Sequence, residues 1–338
     1  MTDKIEIHLT DFSSYGSKLI ELLENYEQKP NLRFQPSFMT RGTVFKGYSL
    51  QNDKGNHSLT INYVKREDIL TIAGSIRKWH LGAGSLMNLH QNSFKRSLIR
   101  LSELLMIPYE NLIDGAIKSL EIGYTFRISD MTEGIIPRMI KYSTFDRYGS
   151  KTSIAFNGRE RTMRVYDQAA ERRENGYKRI GKLIASKSKK KYLRIEVGLR
   201  NYKPIFDKFN ILKVKGLIKK YYDLTYYLNE EIGKIVMIEG SIPDLKSLSI
   251  TRWPKLKKYF MQKGIYEIGF ENALSSIKNI NDSKGNKSTY KTEIINILTN
   301  DLDYPQYTVN KFREELKKEL EEYLCTYSDY PAIELYFT

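Results

Sequence analysis

Cysteine is almost absent: Cys325 stands alone among 338 residues. One thiol makes no disulfide framework and no cysteine metal cluster, and a reducing cytoplasm is the expected setting. Histidine is scarce too. His8, His57, His80 and His90 are the only four, and no two of them flank a single residue. A paired-histidine metal site is thereby excluded, and any metal centre must rest mainly on carboxylates. His80 is then either an added ligand or a hydrogen-bonded loop residue. Gly82-Ala83-Gly84 lacks a following Gly-Lys-Ser/Thr, so no nucleotide phosphate loop is present and no ATP use is expected. No apolar run is long enough to cross a bilayer, and Met1-Thr2-Asp3-Lys4 does not read as a signal peptide, so no membrane partner is expected. No repeat of solenoid type occurs.

What the chain has in excess is positive charge. Lysine plus arginine number 55 against 40 acidic residues, a formal charge of +15. The pI is near 9.4. With 25 tyrosines among the cations, this composition favours a polyanion, and nucleic acid above all.

Three runs carry the alternation of strands with one buried face. In the first, Leu120, Ile122, Tyr124 and Phe126 alternate with Glu121, Gly123, Thr125 and Arg127. In the second, Met163 and Val165 oppose Thr162, Arg164 and Tyr166. In the third, Leu193, Ile195, Val197 and Leu199 oppose Arg194, Glu196 and Gly198. Side by side they make a sheet with one apolar face, the other bearing two carboxylates, arginines and a tyrosine.

Along the rest of the chain, Ile5, Ile7 and Leu9 read as a strand and 18–26 as a helix. Residues 57–65 and 69–78 read as a hairpin, followed by a glycine-rich loop over 79–84. Asn92 or Ser93 caps a helix through Leu105, which Pro108 ends, and a short helix runs through Ile117. Residues 131–141 are ambiguous. Residues 152–157 pair with the Tyr166 strand, 167–185 are polar and helical in part, and 186–191 form a basic loop. From Lys203 helical patterns dominate: 205–217, 219–238, a break at Trp253-Pro254, a polar linker over 279–286, and a charged helix over 307–323. The expected fold is α+β: a curved, mainly antiparallel sheet with helices on one face over 1–201, then a mostly helical region over 202–338 for DNA or partner binding, or for dimerisation.

The motif order Gly74-Ser75-Ile76-Arg77-Lys78-Trp79-His80 with Asn88, Leu120-Glu121-Ile122-Gly123, Arg164-Val165-Tyr166-Asp167-Gln168-Ala169-Ala170-Glu171 and Leu193-Arg194-Ile195-Glu196 resembles the replication initiators of the filamentous-phage gene II/X type. More distantly it is similar to the trans-acting rolling-circle initiators of staphylococcal plasmids. The likeness spans roughly residues 57–200. It implies a protein that nicks one strand at a double-strand origin, stays joined to the DNA through a tyrosine, and uses a divalent metal held by carboxylates. Tyr166 matches the tyrosine, Glu171 a following glutamate, and Glu121 and Glu196 the acidic positions. Gln168 replaces a frequent lysine, and Thr125 and Gly198 stand where a second acid of each pair would be. The implied partners are origin DNA, single-stranded at the nick, and a host helicase, with a homodimer left open.

The residue chemistry runs parallel to this. A tyrosine hydroxyl with a pKa of about 10 is a poor nucleophile at neutral pH. Phosphodiester cleavage therefore needs a cation beside it, and Mg2+ or Mn2+ on oxygen ligands can supply that. Glu121 and Glu196 hold the metal in this reading, with His80 as an added ligand. Alternatively Arg164 and Arg194 simply neutralise them. If catalysis operates, Arg164 and Arg194 offset phosphate charge beside Tyr166. Arg77, Lys78, Lys187, Lys189, Lys190 and Lys191 are the cations expected to meet the DNA backbone. Gly123 and Gly198 either admit a DNA backbone or mark bulges. The other readings are a non-catalytic origin-binding regulator and a conjugative relaxase. A tyrosine recombinase is disfavoured, because no Arg and His-x-x-Arg set precedes a late tyrosine.

Overall fold

Thirteen residues of strand, Ala116–Ile128, form the spine of the protein. The computed structural model describes the chain apart from residues 26–31, 41–42, 54, 129–131, 151, 175–190, 239–249, 251, 300–306 and 328–338. In chain order the strands are β1 (Thr2–Leu9), β2 (Leu32–Thr40), β3 (Thr43–Gln51), β4 (Ser58–Val64), β5 (Ile69–Ser75) and β6 (Ala116–Ile128). Then come β7 (Met139–Tyr142), β8 (Asp146–Gly149), β9 (Ser153–Asn157), β10 (Arg161–Asp167), β11 (Lys191–Leu199) and β12 (Ile235–Met237). Ten of them make one sheet, ordered β2-β3-β4-β5-β1-β6-β11-β10-β9-β8. Every pairing in it is antiparallel. β12 and β7 form a separate ribbon. The class is α+β, as the alternation and the later helical spacing require.

The helices are α1 (Ser17–Glu24), α2 (Ile76–Leu81), α3 (Gln91–Leu105), α4 (Tyr109–Asp114), α5 (Thr132–Arg138) and α6 (Gln168–Glu174). They continue as α7 (Tyr202–Phe209), α8 (Val214–Lys219), α9 (Asp223–Gly233), α10 (Trp253–Ile268), α11 (Phe270–Lys278), α12 (Lys284–Thr299) and α13 (Tyr307–Tyr327). The apolar residues of β6, β10 and β11 are buried in one cluster with Phe94, Leu98 and Leu101 of α3. Phe312, Leu316 and Leu320 of α13 belong to the same cluster. Residues on both sides of position 201 thus share one core, and each fully buried Leu or Phe adds about 1.5–3 kcal/mol to it. A second, smaller cluster joins Phe270 and Leu298 of α11 and α12 to Ile140 of β7.

Several elements differ from the sequence expectation, each for a local reason. β5 stops at Ser75 rather than reaching Lys78. Gly74 adopts a φ of 141°, which side chains avoid, and the Ser75 hydroxyl accepts a hydrogen bond from the Lys78 N–H and caps α2. Trp79 and His80 therefore sit on a helix, not in a glycine-rich loop. Ile117 already lies in β6. The 205–217 pattern is interrupted because Asn210 turns left-handed with φ 50°. The 219–238 pattern ends in β12. Trp253-Pro254 opens α10 instead of breaking a helix, since proline suits the first helical turn, where its missing N–H costs nothing. Lys284 starts α12 inside the expected linker. β2 and β3 lie in a stretch the hydropathy pattern left unassigned.

Candidate active site

The register of three adjacent strands assembles the polar face. Glu121 of β6 lies opposite Gly198 of β11, Gly123 opposite Glu196, and Thr125 opposite Arg194. On the other side of β11, Glu196 faces Arg164 of β10 and Arg194 faces Tyr166. Alternation alone brings Glu121, Glu196, Arg164, Arg194 and Tyr166 to one surface.

A fourth strand adds a residue that the sequence reading passed over. Thr2 of β1 pairs with Ile122 and Ile5 with Leu120, so Asp3 and Lys4 together oppose the single residue Glu121. Such a bulge breaks the alternation and re-aims side chains. Asp3 and Lys4 both line the pocket that holds Glu121. The sequence reading gives Asp3 no role in the site. Its signal would have been an acid sharing the strand parity of Ile5, Ile7 and Leu9, the apolar side of β1.

Arg194 is the hub of the cluster and is fully buried. Its Nε donates to Glu196 Oε1 at 2.7 Å, its Nη1 donates to Thr125 Oγ1 at 2.8 Å, and its Nη2 pairs with Asp3 Oδ2. Burial works to lower the Arg194 pKa, but Asp3 and Glu196 outweigh it and hold the guanidinium charged. Asp3 also accepts from the Ser75 hydroxyl and, at 3.3 Å, from Arg77 Nε. Burial pushes the Asp3 carboxyl up, yet Arg194, Arg77 and Ser75 bring it well below the usual carboxylate range. Gly123 makes room for this hub: a Cβ there would lie 2.7 Å from Arg194 Nη2 and 3.1 Å from Glu196 Cγ. Its role is close packing inside the protein, not passage for a DNA backbone.

Glu121 is compensated differently. Its Oε2 meets Lys4 Nζ at 3.1 Å, and that lysine is half exposed. Its Oε1 is buried with no hydrogen-bond partner. Burial, then the neighbouring Glu196 and Asp3, push its pKa up to about 7. One carboxylate oxygen from each of Asp3, Glu121 and Glu196 lies within 4.8 Å of the other two. Three hard oxygen donors, one of them unpartnered and short of positive charge, fit a divalent cation such as Mg2+ or Mn2+.

Tyr166 sits at the edge of this group. Its hydroxyl donates to Glu196 Oε1 at 2.7 Å. Burial, followed by the charge of Glu196, raises its pKa. The pocket is about 240 Å3 and also takes in Arg164, Lys78, Asp167, Glu171 and Glu174. Arg164 is exposed at its rim.

Other expected residues fall elsewhere. His80 lies apart from the acids, lining a small pocket with Asn52, Asp53, Trp79 and Arg100. It is no ligand of the carboxylate cluster. Arg77 is 1% exposed and bonds to Asp3 and to the carbonyls of Ser85 and Met87, so it supports the site from beneath and cannot reach a DNA backbone. Lys78 does reach the pocket. Lys187, Lys189 and Lys190 lie outside the described residues, and Lys191 opens β11. Gln168 is buried and accepts from Thr125 Oγ1 at 2.9 Å, backing the residue that Arg194 holds. Asn88 closes the free edge of β6 beside the site: its amide donates to Thr125 O and accepts from Thr125 N.

Comparison of the chain with family models, with curated proteins and with solved structures finds no match. No helix among the described residues is long and apolar enough to cross a membrane.

Proposed function

We propose that this protein is a rolling-circle replication initiator that nicks and rejoins one DNA strand at an origin, with Tyr166 as nucleophile. The observation that carries the reading is the convergence of the Tyr166 hydroxyl and three carboxylates in one pocket of a strongly basic protein. Tyr166 Oη bonds to phosphorus as the bond to the 3′ oxygen breaks. The DNA 5′ phosphate stays on the enzyme and a free 3′ hydroxyl leaves, which a polymerase can extend. Glu196 Oε1 is placed to take the phenolic proton. Asp3, Glu121 and Glu196 would hold a Mg2+ or Mn2+ ion, which when bound polarises the phosphoryl oxygen and supplies positive charge beside the phenol. Arg164 at the rim and Lys78 within the pocket face the phosphodiester and offset its charge. Rejoining reverses the same displacement by a 3′ hydroxyl.

The test is incubation with supercoiled DNA carrying the native origin, with and without Mg2+. Metal-dependent relaxation with protein covalently attached to DNA supports the reading. Binding without relaxation at any metal concentration would instead make the protein a non-catalytic origin binder.

A further inference from the structure

Of the described cations that pair with Asp3, Glu121 and Glu196, only Lys4 can leave. Arg194 is fully buried and tied to Asp3, Glu196 and Thr125. Arg77 is buried as well, anchored to Asp3 and to the carbonyls of Ser85 and Met87. The Lys4 side chain is 46% exposed, and its contact with Glu121 Oε2 at 3.1 Å is the one ion pair it makes among the described residues. The bulge in β1 is the source of the difference. Asp3 and Lys4 share the place opposite Glu121. Asp3 is held in the core by Ser75 and Arg77, while Lys4, the next residue, lines the open pocket.

Charge sets the consequence. When ionised, the three carboxylates are met by three cations: Arg77 and Arg194 on Asp3, Arg194 on Glu196, and Lys4 on Glu121. The group is balanced as it stands, and a divalent ion added to it would leave a positive excess. A dication on either oxygen of Glu121 would also stand beside the Lys4 ammonium and repel it. Both guanidiniums are fixed, so the excess is released through Lys4. Its flexible stem reaches solvent, and an exposed ion pair costs little to break. We propose that Lys4 is an exchangeable counter-ion of Glu121: it holds the carboxylate in the absence of metal, and a divalent cation enters the site by displacing it. The displaced ammonium stays tethered at the pocket of Arg164 and Tyr166, where an incoming phosphodiester is the next anion to meet it. This rests on the reading of the three carboxylates as a metal site, not on the chemistry at Tyr166.

Calorimetry of Mg2+ binding to the full chain tests the exchange, at about pH 8.5 so that the carboxylates are ionised. Lys4→Met removes the charge and keeps an unbranched stem, and it should tighten Mg2+ binding about tenfold. Lys4→Arg keeps the charge and should bind Mg2+ within about threefold of the parent. Without metal, Lys4→Met should melt at a lower temperature than the parent, because Glu121 has lost its counter-ion. Saturating Mg2+ should close that gap, since the ion takes over the place of the ammonium. Parent-like or weaker Mg2+ binding by Lys4→Met, while the parent binds the ion, overturns the inference and leaves the metal site standing. Equal tightening by Lys4→Arg also overturns it, because the effect would then not be one of charge. If neither the parent nor Lys4→Met binds Mg2+, the metal reading itself fails and the exchange falls with it.

Discussion

Tyr166 and Glu196 are bonded diagonally across two strands. Tyr166 stands opposite Arg194 and Glu196 opposite Arg164, yet the Tyr166 hydroxyl reaches Glu196 Oε1 at 2.7 Å. The diagonal arises because Arg194 folds beneath the pair toward Asp3 and leaves Glu196 Oε1 shared between its own Nε and the phenol. A phenol held this way keeps its proton until the charge balance around Glu196 changes.

Tyr166→Phe removes one oxygen and no ring packing. It should abolish the covalent protein–DNA adduct while origin binding and the unfolding midpoint stay near the parent values. Adducts resistant to denaturant, followed by mass spectrometry of the nucleotide-linked peptide, check this. A phosphotyrosyl group on any other tyrosine would sink the assignment.

Glu121 links stability to pH and would link the affinity for a bound cation to it as well. Its folded pKa of about 7 lies above the ordinary carboxyl value of about 4.3. A raised folded pKa contributes stability that is fully present below the unfolded pKa and is lost as pH rises through about 7. Unfolding free energy without metal should therefore fall between about pH 4.3 and pH 7, by up to about 4 kcal/mol from this group. Mg2+ affinity should rise over the same window, since the cation competes with the proton. Glu121→Gln should flatten the stability profile, remove the pH dependence of Mg2+ binding and abolish nicking. Urea titrations from pH 5 to 8 with calorimetry of Mg2+ binding measure both. Parent-rate nicking by Glu121→Gln at limiting Mg2+ would remove it from the ligand set.

Arg194→Met should cost about 3–5 kcal/mol, because it strands the buried carboxylates of Asp3 and Glu196 without their shared cation. Denaturant unfolding gives the number. A loss below about 1 kcal/mol would mean that Arg77 alone compensates Asp3.

Gly123→Ala should destabilise by about 1–3 kcal/mol and lower nicking, since the added methyl meets the Arg194 guanidinium and the Glu196 side chain. Gly264→Ala, on open helix surface, is the control and should raise stability slightly. Thermal melts of the two variants side by side provide the comparison.

DNA affinity should fall steeply with salt, as the chain's +15 charge implies several neutralised phosphates. Dissociation constants measured between low and physiological salt give the slope. A flat line would argue against a broad phosphate interface and for a different class of partner.

Much of the site was legible because it is built on alternation. Glu121, Arg164, Tyr166, Arg194 and Glu196 follow the two-residue period of β6, β10 and β11, and period-two patterns survive without knowledge of partners. The apolar side of the same strands made the sheet and its core readable for the same reason. Asp3 and Lys4 escaped because a bulge suspends the period where it matters. Arg77 looked like a surface cation because charge alone does not tell burial; Asp3 and the carbonyls of Ser85 and Met87 decide it. His80 sat beside the right motif but on a helix that carries it to another pocket. Local sequence determined the strands, the faces and the nucleophile candidate. The three-carboxylate cluster and the buried Arg194 hub depend on contacts between residues far apart in the chain, and only the tertiary structure brings those together.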